Sequence, residues 1–124
     1  MNFLIVFLGA GIGGAARYGT SLLLARFSAL TMFPLSTFVV NITGSLLMGL
    51  IIGYFSARGG LADSWKLFLA TGIMGGFTTF SAFSLETVLL MESGYIGTAL
   101  AYILSSVILG VTALMAGLYL MRLI

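Results

Sequence analysis

Long apolar runs, rather than alternation of apolar and polar positions, dominate this chain. Residues 2–25, 35–55, 65–91 and 95–121 are predominantly apolar, and short polar stretches separate them. As a helix, each run is long enough to cross a hydrocarbon core of about 30 Å. The pattern predicts an all-α membrane protein with four transmembrane helices. The third run departs from it. Its stretch Gly72–Glu86, GIMGGFTTFSAFSLE, sets two adjacent glycines, three phenylalanines and the hydroxyls of Thr78, Thr79, Ser81 and Ser84 in mid-crossing. A lipid-facing helix has no use for these groups; irregular backbone at membrane depth is tolerated where it is buried in protein or lines a cavity. The third helix is therefore expected to be broken mid-membrane, with the break as the functional site.

Composition narrows the chemistry. The chain is 60% hydrophobic and 6% charged, whereas about a quarter of the residues in a soluble domain are charged. A single transmembrane domain, residues 1–124, accounts for the whole sequence. There is no cysteine and no histidine, which removes disulfides, thiolates and imidazole from consideration. The net charge of +2 is too small to argue for nucleic acid. The apolar amino terminus lacks a basic region ahead of it and reads as a first span rather than a removed leader.

Spacing then places candidate groups on helix faces. Gly9, Gly13 and Arg17 recur every four residues on the first helix, and Gly9-x-x-x-Gly13 is a pattern that allows close helix packing. Arg17 has two readings: snorkelling to the headgroups, or an anion-attracting group at a water-filled vestibule. A loop is expected at Arg26–Phe33, followed by Pro34 at the start of the second helix. Asn41, Ser45, Gly49 and Gly53 share a face of that helix. Asn41 serves either as interhelical glue or as an N–H donor to a passing anion, because an unpaired amide there would lose several kcal/mol, on the order of 2–7. On the fourth helix Thr98, Tyr102, Ser106 and Gly110 form a comparable stripe. Gly59-Gly60 marks a solvated turn. Arg58, Lys66 and Arg122 fall on the side of the termini and Arg26 opposite, a weak bias toward cytoplasmic termini.

Within the third run, Gly75-Gly76 is expected to free backbone carbonyls, because glycine disfavours helix. A cation held by unwound backbone re-satisfies such groups, and with no carboxylate among them the site suits a hard monovalent ion. Phe80 and Phe83 fall on one face. They are either core residues or a pair of electropositive ring edges offered to an anion. Glu86 reads as a vestibule group or as a proton-coupling carboxylate.

Three segments, GAGIGGAARY, FPLSTFVVNITGSLLMG and GGFTTFSAFSLE, lie in order on the first three spans and resemble the Fluc (CrcB) family of small bacterial fluoride channels. The resemblance implies a non-enzymatic, multi-pass protein of the bacterial inner membrane. It implies an antiparallel, dual-topology homodimer with two fluoride pores, in which passive export of F⁻ relieves fluoride toxicity. It further implies a structural, non-transported Na⁺ at the dimer centre on the backbone carbonyls of Gly75 and Thr78. By motif position the pores take Asn41, Phe80 and Phe83 with Ser81, Ser84, Tyr102 and Ser106, and Arg17 and Glu86 belong to the vestibule. The implied partners are fluoride, the lipid bilayer and a second copy of the chain. A small dual-topology multidrug exporter and a structural assembly protein are the alternatives. The first would need a carboxylate deep in the first span, which the chain lacks, and the second leaves the hydroxyl-rich break without a purpose.

Overall fold

In a computed structural model, residues 1–59 and 62–124 are described, so Gly60 of the expected glycine turn lies outside them. Among the described residues are four crossings long and apolar enough to span a membrane. Helix α1 (Asn2–Thr31) and helix α2 (Leu35–Arg58) are continuous. The third crossing, Asp63–Glu92, is composite. A short helix α3 (Asp63–Lys66) runs into a π-helical segment (Leu67–Met74) and a last helical turn α4 (Gly75–Phe77); after Thr78-Thr79, helix α5 (Phe80–Glu92) resumes. Helix α6 (Ile96–Leu123) is the fourth crossing.

Two expectations are corrected. The loop expected at Arg26–Phe33 shrinks, because α1 continues to Thr31 and ends with Met32 in the left-handed region at φ 52°. Residues 26–31 contain neither glycine nor proline; the first breaker is Pro34, which disfavours helix in the residue ahead of it. The second correction concerns Gly75-Gly76, which do not unwind. Gly75 keeps helical φ and ψ of −62° and −37°, and the helical turn carries on through Phe77. The extended residues are Thr78 (φ −78°, ψ 157°) and Thr79 (φ −151°, ψ 116°).

Close helix packing explains where the glycines fall. A methyl group on Gly9 would sit 2.7 Å from the Phe68 carbonyl oxygen and 2.9 Å from the Gly72 Cα, and one on Gly76 would sit 2.8 Å from the Ala10 Cα. Gly9 and Gly13 of α1 thus interlock with Gly72 and Gly76 of the third crossing, backbone against backbone, as small-residue motifs permit in a membrane. Gly49 and Gly117 do the same between α2 and α6: a methyl on Gly49 would meet Leu114, and one on Gly117 would lie 2.8 Å from the Leu50 amide nitrogen. The bundle is therefore built on two tight helix pairs, α1 with the first half of crossing three and α2 with α6. Large apolar side chains such as Phe3, Phe7, Leu23 and Tyr119 stand exposed on its outside, as a lipid-facing surface requires.

Candidate functional site

The centre of the molecule is the break at Thr78-Thr79. The first half-crossing ends where the Thr78 amide donates to the Met74 carbonyl at 3.0 Å, and the Thr78 hydroxyl donates to the same carbonyl at 2.9 Å. The next amide, Thr79, leaves the helix and donates to Asn41 Oδ1 at 2.8 Å. Asn41 Nδ2 in turn donates to the Thr79 carbonyl at 3.0 Å. One side-chain amide of α2 therefore replaces the backbone acceptor that the break removes from the Thr79 amide, and adds a second donor to the Thr79 carbonyl, which as N-cap carbonyl also opens α5. The Thr79 hydroxyl then caps α5, accepting from the Ala82 amide at 3.2 Å and lying 3.3 Å from Ser81 Oγ, the usual N-cap arrangement for threonine.

Two opposed helix ends meet here. The last carbonyls of the run that closes at Phe77 have no helical amide to accept from and carry partial negative charge, whereas the first turn of α5 carries partial positive charge. Since the Thr79 amide is committed to Asn41, the Gly75 carbonyl loses its helical donor. Among the described residues no group of three or more His, Cys, Asp or Glu is placed to hold a metal. The oxygens available at the break are neutral carbonyls and hydroxyls, a donor set that fits a hard monovalent cation better than Ca²⁺ or Zn²⁺.

Thr79 is also the wall between two cavities. One, of about 300 Å³, is lined by Asn41, Ser45, Thr78, Thr79 and Phe80 with apolar Met48 and Leu114. The other, of about 320 Å³, is lined by Arg17, Tyr18, Ser21, Thr37, Thr79 and Glu86. Arg17 and Glu86 therefore share a cavity on one side of the break. No ion pair between Arg17 and Glu86 is among those formed by the described residues. Both Glu86 oxygens are instead taken by hydroxyls, Thr37 Oγ1 donating at 2.6 Å and Tyr102 Oη at 2.7 Å.

The aromatic residues form a chain leading away from the break. The Phe80 and Phe83 ring centroids lie 5.7 Å apart, tilted by 40°, and Phe83 meets Tyr102 edge to face at 5.0 Å and 81°. Tyr102 is fully buried, and Phe83 and Phe33 pack on it. Phe80, by contrast, is 79% exposed. Ser81 is exposed beside it, and Ser84 bonds back to the Phe80 carbonyl at 3.0 Å. Ser106, one turn beyond Tyr102 on α6, has a buried hydroxyl oxygen with no hydrogen-bond partner. Of the residues singled out from sequence, the structure thus joins Asn41, Thr78 and Phe80 at one cavity, Arg17 and Glu86 at the other, and Phe83 with Tyr102 between α5 and α6. Ser84 and Ser106 line neither cavity. Sequence reasoning passed over Thr37 and the cap function of Thr79. The signal for Thr37 was its position four residues before Asn41, on the same face of α2.

This arrangement of a pinned break between two cavities in a four-crossing bundle can be compared with known proteins. Residues 4–118 match the family described as CrcB-like protein, Camphor Resistance (CrcB). The chain belongs to the CrcB family. Curated relatives of the CrcB chain extend over nearly its full length. It is 51% identical over 122 residues to a protein named fluoride-specific ion channel FluC 2 from Nitrobacter hamburgensis, covering 98% of both chains. It is 52% identical over 122 residues to fluoride-specific ion channel FluC from Methylobacterium nodulans, covering 98% of this chain and 97% of the relative. A FluC protein from Methylobacillus flagellatus is 44% identical over 119 residues, 96% of this chain and 93% of its own.

Proposed function

We propose that this CrcB-family protein is a passive, fluoride-specific ion channel of the bacterial membrane, active as an antiparallel homodimer. The break carries the reading: a helix opened at Thr78-Thr79, pinned by Asn41 and set between two cavities, one reached by Asn41 and Phe80 and the other by Arg17 and Glu86. Near-full-length likeness to proteins named fluoride-specific ion channels supports the choice of ion.

A small anion leaves a strongly bound water shell only if the protein replaces it with donors and positive edges. In this reading fluoride gathers in the cavity beside Arg17, whose planar guanidinium offers several N–H donors. Asn41 retains one Nδ2 hydrogen beyond the one given to Thr79, and the Phe80 and Phe83 rings present electropositive edges. The hydroxyl of Ser81 adds a donor near the rings, and those of Ser84 and Tyr102, which donate to the Phe80 carbonyl and to Glu86, stand beside it as polar oxygens. The buried, unpartnered hydroxyl of Ser106 extends the track along α6. Export follows the gradient: HF enters as a neutral acid, ionises in the cytoplasm, and F⁻ leaves.

The second copy is argued from exposure. Phe80 is 79% exposed, and Ser81 and Gly75, on either side of the break, are exposed as well. Lipid there would leave the polar groups of the break without partners, whereas a partner protomer covers them and completes each pore. The carbonyls of Gly75 and Thr78 fit a structural Na⁺ at the centre of that dimer, which when bound supplies positive charge to the two carbonyl ends and joins the broken crossings.

Ion efflux from liposomes holding the purified protein, with F⁻ and Cl⁻ compared under matched gradients, tests the function. Fluoride efflux without chloride efflux, and without dependence on a proton gradient, is expected. Equal loss of both anions, or loss only under a proton gradient, refutes it.

A further inference from the structure

A second cavity system lies at the end of the molecule that carries both termini. There α2, the start of crossing three and α6 enclose an apolar groove of about 280 Å³, walled by Ile51, Tyr54, Trp65, Leu69 and Met121. Its wall is almost wholly hydrocarbon and aromatic, so neither water nor a hydrated ion is a suitable occupant. Each of its three wall helices carries a cation at this end: Arg58 is the last residue of α2, Lys66 closes α3 directly after Trp65, and Arg122 follows Met121 in the last turn of α6. All three are exposed, and the Arg58 guanidinium lies over the Tyr54 ring, 5.6 Å from its centroid. Asp63 is the one acidic residue at this end, and ion pairs of these cations are not among the contacts of the described residues.

We infer that this groove is a binding site for an anionic phospholipid, with one acyl chain between Tyr54, Trp65 and Leu69 and the headgroup phosphate among Arg58, Lys66 and Arg122. Charge complementarity chooses the occupant. Basic residues at the mouth of an intramembrane groove select anionic headgroups, and Tyr and Trp mark the depth at which headgroup meets hydrocarbon. A zwitterionic lipid fills the groove equally well but leaves three cations facing its choline. Each cation contributes about five-fold to the attraction of an anionic headgroup, and salt weakens this because the cations are exposed.

The test uses the full-length protein in a neutral detergent, with lipid retention read by native mass spectrometry. Phosphatidylglycerol is expected to be retained at least ten-fold over phosphatidylcholine of the same chain length, and the Arg58→Gln, Lys66→Gln, Arg122→Gln triple variant should lose that preference. Glycerol phosphate, which has the headgroup without the chains, should not compete at equal concentration. Equal retention of the two lipids, an unchanged preference in the triple variant, or full competition by glycerol phosphate overturns the proposal. So does an Ile51→Trp variant that dissociates the dimer yet keeps wild-type lipid retention, since the groove would then be covered by a second copy. None of these readouts depends on which ion the protein conducts.

Discussion

Replacing Asn41 by Leu tests how the break is held. The substitution keeps the γ-branched shape and the number of heavy atoms but removes both contacts of Asn41 with the Thr79 peptide, the acceptor at 2.8 Å and the donor at 3.0 Å. Thr79 is only 8% exposed, so solvent cannot take over. An unpaired buried donor or acceptor costs about 1–3 kcal/mol, but interhelical hydrogen bonds in membrane proteins average only about 0.6 kcal/mol, because the unfolded chain in the membrane finds substitutes. Two bonds therefore bracket the loss between roughly 1 and 6 kcal/mol, and burial of the Thr79 peptide places the expected value near 3 kcal/mol. Unfolding by sodium dodecyl sulfate in mixed micelles, followed through the single tryptophan, Trp65, measures it. Fluoride efflux should fall together with stability. A variant within about 0.5 kcal/mol of wild type, well under the loss of even one unsatisfied group, refutes the pinning of the break by Asn41. Loss of efflux at full stability does so too, and returns Asn41 to the part of a pure anion donor.

Three further outcomes are expected. Gly13→Ala should destabilise by about 1–3 kcal/mol through overpacking, because its methyl would collide with the Ile73 carbonyl and the Phe77 amide, whereas Gly11→Ala, which meets nothing within 4 Å, should be neutral in the same unfolding assay. Phe83→Ile should lower protomer stability by about 0.5–1.5 kcal/mol through loss of the edge-to-face contact with Tyr102, while exposed Phe80→Ile should leave it unchanged; both should sharply reduce fluoride efflux, and normal efflux in both would exclude the ring edges from the path. Replacing Na⁺ by a larger organic cation during purification should slow fluoride efflux and weaken the dimer on size-exclusion chromatography, and indifference to Na⁺ would leave the carbonyls of Gly75 and Thr78 without that ligand.

The four crossings and the location of the break were legible in the linear chain for one reason: a bilayer imposes a length and a polarity on each segment independently of its neighbours. Apolar runs of sufficient length must be helices, and TTFS with flanking glycines cannot face lipid. Local sequence did not reveal which residues unwind. Glycine propensity pointed to Gly75-Gly76, yet α1 packs against Gly76 so closely that any side chain would strike Ala10, and tertiary contact overrode propensity. The unwinding passed to Thr78-Thr79, where Asn41 reaches across from α2 to satisfy the exposed peptide. Likewise, the hydroxyl pair of Thr37 and Tyr102 on Glu86 unites three helices distant in sequence. The sequence by itself determined the membrane architecture and the chemical character of the break. Only the tertiary structure decided which backbone opens and which side chains hold it, because both depend on how closely two helices approach, a distance set by their joint packing.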